Sequence, residues 1–257
     1  MSISFKEIKN LEKSKKDRDE QGIFVTEGIK LCREAPAKWL RAVFSTSEFA
    51  EEHPDFFSEL PKDIQVVKDI RRERFAGLSD TKSPQGILSV VRKPEFDLEE
   101  TLSKPDPFFV LLENTQDPGN AGTILRTAEA AGVDAVFLTA GAVDLYNPKT
   151  IRSTMGSIYR VPHFYVKDID ALLSEFSERG IRTHAAHLKG THNYTDADYT
   201  CGTVILIGNE SRGLSDELSA RADELMKIPM CGQVESLNAA MAAGILMFEV
   251  RRQRGLR

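Results

Sequence analysis

From residue 108 to residue 252 short apolar runs alternate with segments of helical periodicity, and few folds accommodate that rhythm. FFVLLE, AVFLT, VPHFYV, IRTHAAH, VILIG and LMKIPM read as strands. Helical patterns fall near 120–131, 147–156, 169–179, 215–221 and 236–252. Apolar strands separated by helices predict a mostly parallel sheet covered by helices, so the fold class is α/β.

The preceding residues read differently. GIFVTEGIKLCREA predicts a strand running into a helix, LRAVFST and IQVVKDI two further strands, and GILSVVR a closing strand, which together make a small α/β domain. Residues 92–107, RKPEFDLEETLSKPDP, combine three prolines with a run of acids and read as a linker. The expected layout is a first domain with linker over 1–105 and a second domain over 106–257.

Two helices can be checked by spacing. In the first, Ala121, Ile124, Leu125, Ala128 and Ala131 share a stripe, with Asn120 as N-cap and Gly132 as the stop. Arg126 points away from that stripe. In the last, Leu237, Ala240, Met241, Gly244, Ile245 and Phe248 form the stripe, with Ser236 or Glu235 at the cap.

Several function classes are excluded. No window approaches the ~18 consecutive apolar residues of a membrane span, and the amino end lacks a signal-peptide core, so a cytoplasmic location is expected. Cys32, Cys201 and Cys231 are scattered, without CxxC spacing, and read as buried thiols. The Rossmann and P-loop glycine fingerprints and the G-x-S-x-G elbow are absent, which argues against a dinucleotide oxidoreductase, a P-loop NTPase or a serine hydrolase of that type. His184, His187 and His192 invite a metal reading, but strand alternation turns His184 and His187 to opposite faces, so no metal is expected.

Ligands of open α/β sheets bind outside the carboxyl ends of strands. Three loops there are unusual: Asn114 to Asn120, Gly208 to Gly213, and Cys231 to Asn238. Each mixes glycines, which let backbone approach a ligand, with amides and hydroxyls or acids that fix orientation. Any one loop alone reads equally well as a capped turn. Three converging on one sheet edge read as a site.

Taken together, NTQDPGNAGTILRTAEAAG, LIGNESRGLSDEL and IPMCGQVESLNAAMAAGI resemble, in order, the three signature motifs of the SpoU (TrmH) family of S-adenosylmethionine-dependent RNA ribose 2'-O-methyltransferases. NPKTIRSTMGSIYRVPHF is similar to the family's intervening helix and strand, and KSKKDRDEQGIFVTEG with SPQGILSVV resembles the substrate-binding domain often attached to it. The resemblance implies a deep trefoil knot in the second domain, which sequence physics alone disfavours. It also implies a homodimer and S-adenosylmethionine as cofactor. Gly208, Ile228 and Leu237 would hold that cofactor, although Ile228 also reads as plain core packing.

The same resemblance assigns catalysis to Arg126, with Asn120, Glu210, Ser236 and Asn238 completing the site. A ribose hydroxyl must attack in line and lose its proton, so positioning carries much of the acceleration. The family has been argued to use the arginine as proton acceptor. A guanidinium stays protonated in proteins, so the conservative reading is that Arg126 grips the substrate phosphate and stabilises the developing alkoxide. Glu210 reads as proton acceptor or as loop organiser, and Ser236 and Asn238 as site residues or helix caps.

The net charge of -5 conceals opposing patches. Residues 62–93 hold eight basic residues (Lys62, Lys68, Arg71, Arg72, Arg74, Lys82, Arg92, Lys93) against four acidic ones, whereas 45–59 hold five acids and no Lys or Arg. The basic stretch, with Lys13, Lys15, Lys16 and Arg18 nearby and Lys149, Arg152 and Arg160 extending it, is the expected RNA surface, although residues 1–20 net only +1 and the Lys13–Arg18 run reads more safely as a solvated helix face. The reading is an RNA 2'-O-methyltransferase acting on structured RNA, most readily ribosomal RNA. The alternatives are a catalytically silent RNA-binding assembly factor and the same methyl transfer on transfer RNA.

Overall fold

A computed structural model describes residues 2–255, and the chain divides into two compact units. The first runs up to Glu95 and also takes in Asp144–Tyr159; the second is Phe96–Val143 together with the chain from Arg160 onward. The division therefore falls ten residues before the expected boundary at 105. Within the supposed linker, Leu98–Leu102 is a helical turn capped by Asp97, and its Leu102 packs into the second unit's core.

The first unit holds β1 (Ile23–Glu27), β2 (Leu40–Thr46), β3 (Gln65–Ile70) and β4 (Ile87–Arg92), in the order β1-β4-β2-β3. β4 is antiparallel to both β1 and β2, and β3 is parallel to β2. Ile8 and Leu11 of the helix Phe5–Lys13 close one face over Val25, Phe44, Phe75 and Leu88. Tyr146 packs its ring on Phe24 at 4.9 Å, which shows why the inserted segment belongs here.

Arg18, expected on the RNA surface, lies instead almost wholly buried, its guanidinium 2.6 Å from the Asp144 carboxylate and donating also to the backbone oxygens of Leu11 and Glu12. A cation this deep is held by its partners and is unavailable to phosphate. Breaking a buried pair leaves the other charge uncompensated, so Arg18→Ala is expected to cost about 3–5 kcal/mol in urea unfolding. An unchanged midpoint would show the pair to be dispensable.

The second unit is a parallel sheet of β5 (Phe108–Leu112), β6 (Ala135–Thr139), β7 (His163–Val166), β8 (Arg182–Ala186), β9 (His192–Asn193), β10 (Thr203–Ile207) and β11 (Glu224–Lys227), ordered β7-β6-β5-β10-β8-β11-β9. Every pairing among them is parallel, as the alternation predicted. Phe109, Phe137 and Phe176 stack or meet edge-on in the core, beside Val204 and Leu206. No helix among the described residues is long and apolar enough to cross a membrane.

Four expectations need correction. The helix Pro118–Ala131 is capped by Asp117, whose carboxylate accepts from the Asn120 N–H at 2.8 Å, so Asn120 is inside the helix; Pro118 at the first position needs no donor. The helix Ala239–Gln253 is capped by Asn238, accepting from the Ala240 and Met241 N–H groups, and not by Ser236 or Glu235. Its buried residues include Ala240, Ala243, Leu246, Met247 and Val250, whereas Leu237, Met241 and Phe248 are 37%, 62% and 48% exposed. The helix is apolar on two faces, and the neighbouring elements choose between them. Of the cysteines, Cys32 is buried, Cys201 half-buried and Cys231 exposed.

Candidate active site

The loops after β5, β10 and β11 meet at the carboxyl edge of the sheet, and Glu210 sits where the first two join. Its carboxylate accepts from the N–H groups of Gln116 and Asp117, both at 3.1 Å, and from the Asn120 amide at 3.2 Å. The Asn238 amide donates in turn to Asn120 Oδ1 at 3.0 Å. Asn120, Glu210 and Asn238, 118 residues apart at the extremes, thus form one hydrogen-bonded chain.

The two helices that carry Asn120 and Asn238 lie side by side. Gly244 faces Thr127 just as Asn238 faces Asn120, so both helices run in the same direction with their amino ends together. Two positive helix ends beside one carboxylate favour its ionised form. Burial pushes the Glu210 pKa upward, but its backbone and Asn120 donors outweigh that and hold it below the ordinary carboxylate value. A carboxylate held ionised by so many donors is a weak base, which favours the loop-organising role of Glu210 over proton acceptance.

Beside this network lies a cavity of about 780 Å³, within the range of small-molecule sites. Gly208, Ile228 and Leu237, the three residues expected to hold a cofactor, all line it, as do Glu210 and Ser236. A Cβ at Gly208 would overlap the backbone of Gly213 and Leu214, so glycine is required for the loop to close on itself. Apolar walls from Ile207, Met226 and Leu246 stand beside the polar side chains of Asn209, Ser211 and Ser236. Such a lining fits a purine with an attached amino acid: flat apolar contact plus edge donors and acceptors.

Arg126 projects from the exposed face of its helix, and among the described residues it has no hydrogen-bond or ion-pair partner. Ser236 is exposed on the loop before the last helix. Sequence reasoning named Asn114 and Asn209 as loop residues without giving them a task. Asn209 donates to the Asn114 backbone oxygen at 2.7 Å and accepts from the Ser211 and Arg212 N–H groups, tying the first two loops together. The left-handed φ of +52° at Asn114 is tolerated by asparagine and would have been the signal.

In the first unit Lys62, Lys68, Arg71, Arg72, Arg74, Lys82 and Arg92 are exposed, with Lys68 above the Phe57 ring and Arg74 above Phe5. Lys93 pairs with Asp19 and Arg152 with Asp80, while in the second unit Arg160 pairs with Glu129. His184 is buried in β8, whereas His187 lines the cavity, and no group of three or more metal-ligating side chains occurs among the described residues.

Comparison with known proteins gives two matches along the chain. Residues 107–248 match the SpoU rRNA Methylase family, and residues 4–89 match the MRM3-like substrate binding domain. The 23S rRNA guanosine 2'-O-methyltransferase of Bacillus subtilis (strain 168) is 32% identical over 93% of this chain and 92% of its own. The crystal structure of the SpoU methyltransferase AviRb from Streptomyces viridochromogenes in complex with AdoMet superposes with a TM-score of 0.86 at 28% identity, covering 99% of this chain and 98% of that one. The Aquifex aeolicus TrmH/SpoU tRNA modifying enzyme, at 33% identity, covers only 61% of this chain and 80% of its own, with a TM-score of 0.52.

Proposed function

The chain belongs to the SpoU rRNA methylase family, and on that premise we propose that it is an S-adenosylmethionine-dependent methyltransferase acting on a ribose 2'-hydroxyl of ribosomal RNA. The observation that carries this reading is the cavity lined by Gly208, Ile228 and Leu237 against the Asn120–Glu210–Asn238 chain of hydrogen bonds. Bound S-adenosylmethionine supplies an electrophilic methyl group on a sulfonium centre. Gly208 and Ile228 would hold it through backbone groups and apolar contact, with Leu237 at the rim. Arg126, exposed and without a partner among the described residues, binds the RNA phosphate and stabilises the oxygen as its proton passes to solvent water. Glu210 keeps the loops in register; Asn120, Asn238 and Ser236 orient the ribose.

Ribosomal RNA is favoured over transfer RNA because relatives similar along both units, such as the Bacillus subtilis enzyme, carry 23S rRNA in their names. The similarity to the Aquifex aeolicus tRNA modifying enzyme stops at 61% of this chain. A catalytically silent assembly factor would have no need of an unpartnered Arg126 and an intact Glu210 network. The domain layout proposed is an RNA-binding first unit, using Lys62, Lys68, Arg71, Arg72 and Lys82, followed by a knotted methyltransferase unit, working in the cytoplasm. The test is calorimetric titration with S-adenosylmethionine followed by radiolabelled transfer to total RNA. Label in alkali-resistant dinucleotides of 23S rRNA supports the reading; tight RNA binding without cofactor heat or label overturns it.

A homodimer belongs to the same proposal. Met241 and Phe248 on the last helix, with Leu237 just before its cap, form an exposed apolar patch, which a partner copy would cover. Met241→Glu with Phe248→Glu is expected to convert a dimer to monomer in sedimentation velocity without changing the helix content. A sedimentation coefficient unaffected by both charges would move the interface elsewhere.

A further inference from the structure

One buried carboxylate near the cavity is used by none of the roles above. Glu113 follows β5, is 9% exposed, and accepts from Ser215 twice: from its N–H at 2.7 Å and from its hydroxyl at 2.6 Å. The Glu113 N–H meanwhile donates to the Ile207 backbone oxygen at 2.8 Å, prolonging the β5–β10 ladder by one residue. Ile207 and Ser215 are the two residues that bracket the loop Gly208–Leu214. A single residue thus grips both ends of the loop, one with its backbone and the other with its side chain.

Between those ends the loop is internally stiff. Asn209 and Gly213 exchange two backbone hydrogen bonds of 2.9 Å, and Gly208 leaves room for the Gly213–Leu214 backbone. Leu214 is buried in the core, an anchorage that is strong but not directional. A stiff loop with a non-directional anchor can still tilt. The two short bonds to Ser215, whose hydroxyl also accepts from the Leu218 N–H to cap the next helix, remove that freedom.

We infer that Glu113 is a positioning residue for methyl transfer: by holding Ser215 it sets the tilt of the Gly208–Leu214 loop, and so both the cofactor wall at Gly208 and the reach of Glu210 to Gln116, Asp117 and Asn120. The inference rests on the methyltransferase reading. A Gln at this position still accepts from the Ser215 N–H through its oxygen, and its amide can donate to the Ser215 hydroxyl. An Asp falls one methylene short.

The test compares Glu113→Ala, Glu113→Gln and Glu113→Asp in the full chain, with S-adenosylmethionine affinity by calorimetry and transfer to 23S rRNA by radiolabel. Glu113→Ala is expected to raise the cofactor Kd tenfold or more and to lower kcat, while the KM for RNA stays at the wild-type value. Glu113→Gln recovers most of both losses. Should Glu113→Ala fail to fold, Glu113→Asp keeps the charge and is expected to show the same cofactor-specific loss. Wild-type cofactor affinity in a folded Ala or Asp variant, or an equal loss in Gln, overturns the inference. A wild-type protein that binds no cofactor and transfers no label overturns the underlying function instead.

Discussion

Arg126→Ala is expected to lower methyl transfer by about 10³-fold or more while leaving S-adenosylmethionine affinity within about twofold of wild type. The separation follows from where the side chain sits. It lies outside the cavity lining and on the exposed face of the Pro118–Ala131 helix, so truncation removes no cofactor contact and no packing. Alanine is also the best helix former, so the helix itself is not weakened. What is lost is a cation with no neutralising partner among the described residues, available to a phosphate and to charge developing on the ribose oxygen. A loss near 10³-fold corresponds to about 4 kcal/mol, in the range for removing one preorganised donor from a transition state. Arg126→Lys keeps the charge without the planar fork and is expected to fall between. Single-turnover transfer with saturating RNA decides it: wild-type turnover in Arg126→Ala removes the arginine from the mechanism.

What could be read from the chain before its structure divides along a physical line. Strands such as FFVLL and VILI were legible because they are buried on both faces, so composition alone identifies them. Their parallel pairing followed from the helices between them. Positions that depend on one local hydrogen bond were off by about a turn, as with Asp117 in place of Asn120 at the first cap. The last helix failed for another reason: Leu237–Met241–Phe248 and Ala243–Leu246–Val250 are both apolar stripes at helical spacing, and periodicity cannot say which one the sheet will take. Pairs that close over long separations left no trace at all. Arg18 and Asp144 are 126 residues apart and Glu113 and Ser215 are 102 apart, and nothing local in either residue announces its partner. The candidate site was visible because its three loops each carry turn residues dense enough to be unusual. The order in which they bond to one another, with Glu210 at the centre, is a tertiary fact.

Gly208→Val is expected to abolish measurable cofactor binding, and Gly208→Ala to weaken it by about 100-fold. The obstacle is backbone, not a side chain that can swing aside: a Cβ here would meet Gly213 and Leu214 inside van der Waals contact. Relief requires the loop to open. That breaks the reciprocal Asn209–Gly213 bonds, worth about 0.5–1.5 kcal/mol each, and adds an overpacking cost of about 1–3 kcal/mol. Even the lower sums reach about 2–3 kcal/mol, and every 1.4 kcal/mol is tenfold in affinity if the open loop cannot bind. Gly232 supplies the control. It lies on the loop after β11, and a Cβ there meets nothing within 4 Å, so Gly232→Ala is expected to bind cofactor as the wild type does. Calorimetry on the two alanine variants at equal helix content separates a general sensitivity of glycines from this particular close approach. Wild-type affinity in Gly208→Ala would mean that the loop yields without cost and that the cavity wall is not what holds the cofactor.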